Sequence, residues 1–227
     1  MYLKWSRDNI KVSKMARSVS FGIPAYRSSD GFVTCPGAGA CAGYCYARQG
    51  RYVMPNVKAS REFNLAIAKD SPVRFAQYAI ADLQAMRKVS IVRIHDSGDF
   101  FSQEYLDAWV YVASTLPRIR FYAYTKSLKL CFDRLPGNFS ITQSMGGIWD
   151  SLIDSSRSHA RVFPDIEALR TEGYINGTLS DRPALEGLTR IGLAYHGARS
   201  LTVAQKKYLE RDLAMGLGKQ GEEEKSP

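Results

Sequence analysis

Three of the four cysteines in this chain, Cys35, Cys41 and Cys45, fall within eleven residues. The segment reads Thr34-Cys35-Pro36-Gly37-Ala38-Gly39-Ala40-Cys41-Ala42-Gly43-Tyr44-Cys45-Tyr46, a C-x5-C-x3-C spacing. Almost everything between the thiols is Gly, Ala or Pro. Small residues let a backbone wrap closely around a bulky object. They also leave N–H groups free to point at sulfur, which tunes a cluster's potential. The spacing therefore reads as an iron–sulfur site.

Two other readings compete with it. A structural zinc site normally closes with four protein ligands in paired spacing. No second C-x2-C or H-x3-H pair exists, and His95, His159 and His196 are scattered. Buried thiols can also serve as small hydrophobes. A 4Fe–4S cluster on three thiolates leaves one iron without a protein ligand, free for a substrate or cofactor. Cys131 or a histidine is an alternative fourth ligand. Cys131 follows Leu128-Lys129-Leu130 on an expected helix, and its preferred reading is a helix-packing thiol.

The second chemical element is Ile94-His95-Asp96-Ser97-Gly98-Asp99-Phe100, at the end of an expected strand. Ligand sites of α/β proteins form at the C-terminal ends of strands. Asp99 has the chemistry to accept from an ammonium, and Gly98 permits close backbone approach. Asp, Ser and Gly also favour turns, so a plain turn before Ser102 stands equally. His95 reads either as a site residue or as a satisfied core histidine. Lys126 and Thr125 follow the next strand and Gln143 follows the third, placing weaker candidates at the same rim. Tyr122 and Tyr124 alternate on a strand, as half-buried sheet residues do.

The elements that must position these residues are legible in part. Ser71-Pro72 caps a helix carrying Phe75, Ala79, Leu83 and Met86. Val89 to Ile94 is a strand, and Ser102 caps a helix with Leu106, Trp109, Val110 and Ala113 on one stripe. Further strands are expected at Ile119–Tyr124, Phe139–Thr142, Arg161–Phe163 and Arg190–Tyr195. A short helix opens at Asp165 and stops at Gly173, and Thr202 and Gln205 start a last helix ending near Leu213. Alternating β and α units imply an α/β fold with a mostly parallel sheet and helical crossovers. A closed eight-unit barrel typically needs about 250 residues. A partial, open TIM-like barrel is therefore expected, as one domain over residues 1–215 with a disordered tail at 216–227.

Net charge is +9, from 31 basic and 22 acidic residues. That balance suits an anionic partner, nucleic acid included, as well as simple solubility. Lys4, Arg7, Lys11, Lys14 and Arg17 crowd the start. No apolar run is long enough to span a bilayer. The start also lacks the apolar run of a secretory signal, so a reducing cytoplasm is expected, with no membrane partner.

At the cysteine triplet the sequence resembles the radical S-adenosylmethionine superfamily. Its members carry three cysteines after the first barrel strand, with an aromatic residue before the last, the place Tyr44 takes here. The superfamily's spacing is C-x3-C-x2-C, and both gaps in this chain are longer. CPGAGACAGYCYA, RIHDSGDFFS and YAYTKS together resemble a phage-encoded family, gene product 88, regarded as radical-SAM-like. The resemblance spans roughly Phe32 to Ser144. It implies a 4Fe–4S cluster on Cys35, Cys41 and Cys45. It also implies S-adenosylmethionine lined by Tyr44, Ser97, Gly98 and Asp99, a radical formed after an electron donor reduces the cluster, and a host-cytoplasm location. The alternatives are a non-catalytic cluster protein with a degenerate pocket, or a zinc-stabilised nucleic-acid module.

Overall fold

The computed structural model describes residues 1–7, 11, 15 and 17–195. The expected helix at Thr202–Leu213, the tail at 216–227, Lys14 and His196 lie outside those residues. Among the described residues, seven parallel strands form one sheet in the order β1-β2-β3-β4-β5-β7-β6. They are β1 Ser18–Phe21, β2 Ile91–Ile94, β3 Arg120–Thr125, β4 Phe139–Ser144, β5 His159–Phe163, β6 Ile175–Asn176 and β7 Ile191–Ala194. The helices are α1 Cys41–Tyr44, α2 Pro55–Asp70, α3 Pro72–Ala85, α4 Gln103–Thr115, α5 Ile166–Thr171 and α6 Arg182–Leu185. The fold is thus the open, partial barrel the alternation implies. Its β3–β4 and β4–β5 connections carry no α-helix, which explains why so many strands fit the length.

Register divides the chemistry of the two sheet faces. Val19, Val92 and Phe121 are paired neighbours, as are Phe21, Ile94 and Ala123. All six are buried in one core with Phe75, Ala79, Leu83, Leu106, Trp109 and Val112 from α3 and α4. The Trp109 ring meets Phe75 at 5.0 Å and Phe21 at 5.2 Å, centroid to centroid, in edge-on geometry that aromatic quadrupoles favour. The paired neighbours Ser20, Arg93 and Tyr122 lie on the opposite face. There α6 supplies Ala184 and Leu185 to a smaller core with Tyr122, Ala160 and Ile191.

Caps formed where the side-chain chemistry requires them. The Ser71 and Ser102 hydroxyls accept from Arg74 and Tyr105 N–H, and Asp165 accepts from Ala168 N–H. These satisfy N–H groups that have no partner within a helix's first turn. Cys131 departs from expectation. It sits exposed in a loop rather than on a helix, its thiol 3.4 Å from the Asp133 carboxylate. The expected helix does not form, and the segment runs into Pro136-Gly137, a helix-breaking pair.

The outer edge of β1 is covered by the chain's first residues through a two-bond antiparallel bridge between Ser6 and Ser20. Asp82 of α3 anchors that segment. Its buried carboxylate accepts from Tyr2 and Leu3 N–H at 2.8 Å and from the Trp5 indole at 3.0 Å. Asp82→Ala leaves these donors unpaired and should cost about 2–3 kcal/mol in urea unfolding. A loss under about 0.5 kcal/mol would show that the strap contributes nothing.

Candidate functional site: the cysteine loop

The loop leaves the C-terminal end of β1 and is received by the ends of β2, β3 and β4. Ile23 N–H donates to the Ser97 carbonyl at 3.0 Å, and Asp99 N–H donates to the Thr34 carbonyl at 3.2 Å. A small hairpin, bridged at Arg27 and Val33, then brings Tyr26 N–H to the Cys35 sulfur at 3.2 Å. Cys41 opens the single turn of α1 and Cys45 follows it. Cys41 N–H donates to the Gly146 carbonyl in the turn after β4.

Glycine makes this docking possible by backbone contact. A Cβ on Gly37 would lie 2.0 Å from the Lys126 carbonyl oxygen, and one on Gly147 would lie 2.6 Å from the Gly37 oxygen. Ile148 N–H donates to Gly37, and Ala38 bridges Gly147. The turn is itself clamped. The Asp150 carboxylate accepts from Gly146 and Gly147 N–H at 2.8 and 2.9 Å. The Lys126 ammonium donates to the Ser144 hydroxyl at 2.6 Å and to the Met145 carbonyl.

None of the three cysteines forms a disulfide, and all three are partly buried. Burial pushes the Cys35 thiol up strongly, with Asp99 and the other two cysteines adding to it, against the Tyr26 N–H. Burial also pushes Cys45 up, opposed by the Ala47 N–H and by the cations Arg48 and Lys126. The three sulfurs therefore share one electrostatic neighbourhood, and two of them receive backbone N–H groups. Among the described residues, no three His, Cys, Asp or Glu side chains converge closely enough to hold a single metal ion. A cubane cluster spreads its thiolates over separate irons, so it does not require that convergence. The donor set fits such a cluster: soft sulfur, N–H groups aimed at it, and cations at the rim.

The acidic motif comes to the same rim. Asp99 is buried and accepts from Thr125 Oγ1 at 2.6 Å, Lys126 N–H at 2.8 Å and Phe100 N–H at 2.7 Å. Ser97 donates to the Ile23 carbonyl, and Gly98 takes φ +85° where a Cβ would strike Ile23. All three residues join the ends of β1, β2 and β3. Tyr44 ends the α1 turn and is buried. Gln143 belongs to β4 itself and is bonded to the Asp154 backbone. His95 is buried between Phe100 and Tyr105 at φ +63°, its Nε2 3.0 Å from the Tyr105 hydroxyl.

A polar network under the loop escaped sequence reading. Arg61 of α2 pairs with Asp96 at 2.8 Å, and Ser20 donates to the same carboxylate oxygen. Tyr46, directly after Cys45, donates to the Asp96 carbonyl at 2.7 Å and accepts from Arg93 at 3.1 Å. Arg93 in turn pairs with Asp181 at 2.7 Å, where the Tyr122 hydroxyl also donates. Gly22 has no room for a side chain because Asp96 and Arg61 occupy the space. Arg93 alternating with apolar strand residues was the available signal; nothing local marked Asp181.

The Gene product 88 family model matches residues 3–225. The chain belongs to the gene product 88 family. The Gene 88 protein of Mycobacterium phage L5 is 25% identical over 214 residues, covering 83% of this chain and 87% of that protein. The Gene 88 protein of Mycobacterium phage D29 is 28% identical over 151 residues, covering 56% and 61%. No solved structure matches. For this gene product 88 chain the match extends well beyond the cysteine segment, into both flanks.

Two consequences of the geometry are measurable. Gly37→Ala forces backbone against backbone, which cannot yield as a flexible side chain would. It should cost about 1–3 kcal/mol, read by thermal or urea unfolding. An unchanged protein would mean the loop is not docked on Lys126. The second concerns His95, whose pKa burial lowers from 6.5 to about 3, with Arg61 and Arg93 adding to it. Between those values the unfolded chain holds the extra proton, so stability falls as pH drops through that window. His95→Asn tolerates the left-handed backbone and removes this titration. It should lose less Tm than the parent between pH 6.5 and about 4. Equal losses would assign acid sensitivity to other groups.

Proposed function

We propose that Cys35, Cys41 and Cys45 bind a 4Fe–4S cluster in a protein of radical-SAM-like type. The observation that carries this is the loop's placement. Three thiols of one segment lie at the C-terminal rim of a parallel half-barrel, with Tyr26 and Ala47 N–H groups directed at two of the sulfurs. When bound, such a cluster supplies one-electron chemistry, and an external electron donor would have to reach it. The chain's own part would be to hold the three thiols at the rim formed by β2, β3 and β4 and to shield them by burial.

Whether S-adenosylmethionine occupies that rim is a separate question within the proposal. Ser97 and Asp99 spend their hydrogen bonds within the protein, and Gly98 packs on Ile23. This favours the cluster protein without cofactor cleavage over the enzyme, and it leaves backbone groups and Tyr44 as the cofactor contacts if cleavage occurs. The mycobacterial phage relatives support a host-cytoplasmic setting. Among the described residues no helix is long and apolar enough to cross a membrane.

Protein purified without oxygen should carry about four iron and four sulfide per chain, with a broad visible absorption band. Replacing all three cysteines by alanine should abolish both. Zinc without sulfide would replace the proposal with a structural metal site. Calorimetric titration of S-adenosylmethionine into the cluster-loaded protein decides between the two forms, and absence of heat removes the enzyme.

A further inference from the structure

The segment from Gly31 to Arg61 contains no carboxylate, yet it holds Arg48, Arg51, Lys58 and Arg61. Arg61 is spent on Asp96. The exposed cations gather on both flanks of the cysteine loop. On one flank, Arg27 and Arg48 lie over the Tyr26 ring, at 5.3 and 5.4 Å from its centroid. This is the same Tyr26 whose N–H reaches the Cys35 sulfur. On the other flank, Lys129 lies 5.2 Å over the Trp149 ring. Lys129 follows Lys126, which touches Gly37, and Trp149 follows Ile148, which donates to the Gly37 carbonyl. Asp150, next to Trp149, has both oxygens engaged by Gly146 and Gly147 N–H.

From this arrangement we infer that the rim of the cysteine loop binds single-stranded nucleic acid. Phosphates are neutralised by exposed Arg and Lys, and bases stack on aromatic faces and guanidinium planes. A surface for an acidic protein needs the charges and not the rings. A duplex is read by an element entering its groove, whereas this rim is built from loops and turns. The excess of nine positive charges over the chain adds long-range attraction for a polyanion. The inference stands on the rim's cations and rings and does not depend on what the thiols hold.

Fluorescence anisotropy with a labelled oligothymidylate, using the full chain, tests it. Binding should weaken steeply with salt, and the log–log slope should fall by about 0.7 for each phosphate contact removed. Arg27→Glu and Lys129→Glu, singly and together, should keep the parent Tm and the parent iron and sulfide content. The double variant should bind at least about tenfold more weakly at low salt. Three results would overturn the inference: no binding at low salt, affinity unchanged by the reversals, or equal competition by polyglutamate and oligothymidylate. The last would assign the rim to an acidic protein. Because the variants leave the thiols untouched, failure here is distinguishable from failure of the cluster reading.

Discussion

The rim of this half-barrel depends on one buried carboxylate. Asp99 accepts from Phe100 on its own strand end and from Thr125 and Lys126 at the end of the next, while its N–H holds Thr34 beside Cys35. Burial raises its pKa, and the hydrogen bonds from Thr125, Lys126 and Phe100 oppose that rise. Three chain segments distant in sequence are thereby fixed at one point. Lys126 then extends the tie to β4, and the turn after β4 receives the cysteine loop by backbone contact.

This arrangement explains why glycine recurs on both sides of the contact. Side chains would hold Gly37 and Gly147 apart, and the Gly37–Ile148 hydrogen bond would be lost. The loop is docked on the turn after β4 by its own amides and carbonyls rather than by its side chains. Beneath it, Tyr46 ties the residue after Cys45 to Asp96 and Arg93. The loop is therefore held from the rim and from the sheet's polar face.

What the sequence disclosed follows from physical range. Local rules worked: hydroxyl and carboxylate caps at Ser71, Ser102 and Asp165, and β-branched or aromatic runs at β2, β3 and β4. The α2 helix went unread because its buried positions are Arg61, Asn64, Leu65 and Ala68, which form no apolar stripe. The β1 strand has four residues, two of them serine, too few for a period to register. The cysteine triplet was visible because its members are neighbours. The Arg93–Asp181 and Arg61–Asp96 pairs were not, since only folding brings those residues together. Ser97-Gly98-Asp99 was legible as a turn at a strand end, while its bonding to β1 and β3 was not.

Strand β1 has no partner strand until β2 is made, for Ser18 pairs with Ile91 and the intervening chain is the cysteine loop, α2 and α3. During synthesis the N-terminal part of a chain emerges first, and long-range parallel pairing comes late because the loop must be closed before it is rewarded. The thiol segment therefore leaves the ribosome well before the strand ends that will bury it. For that interval its cysteines are ordinary solvent-facing thiols, open to oxidation and to metal capture from the surrounding pool. The order of the strands thus gives this protein a period of vulnerability that its folded form does not have.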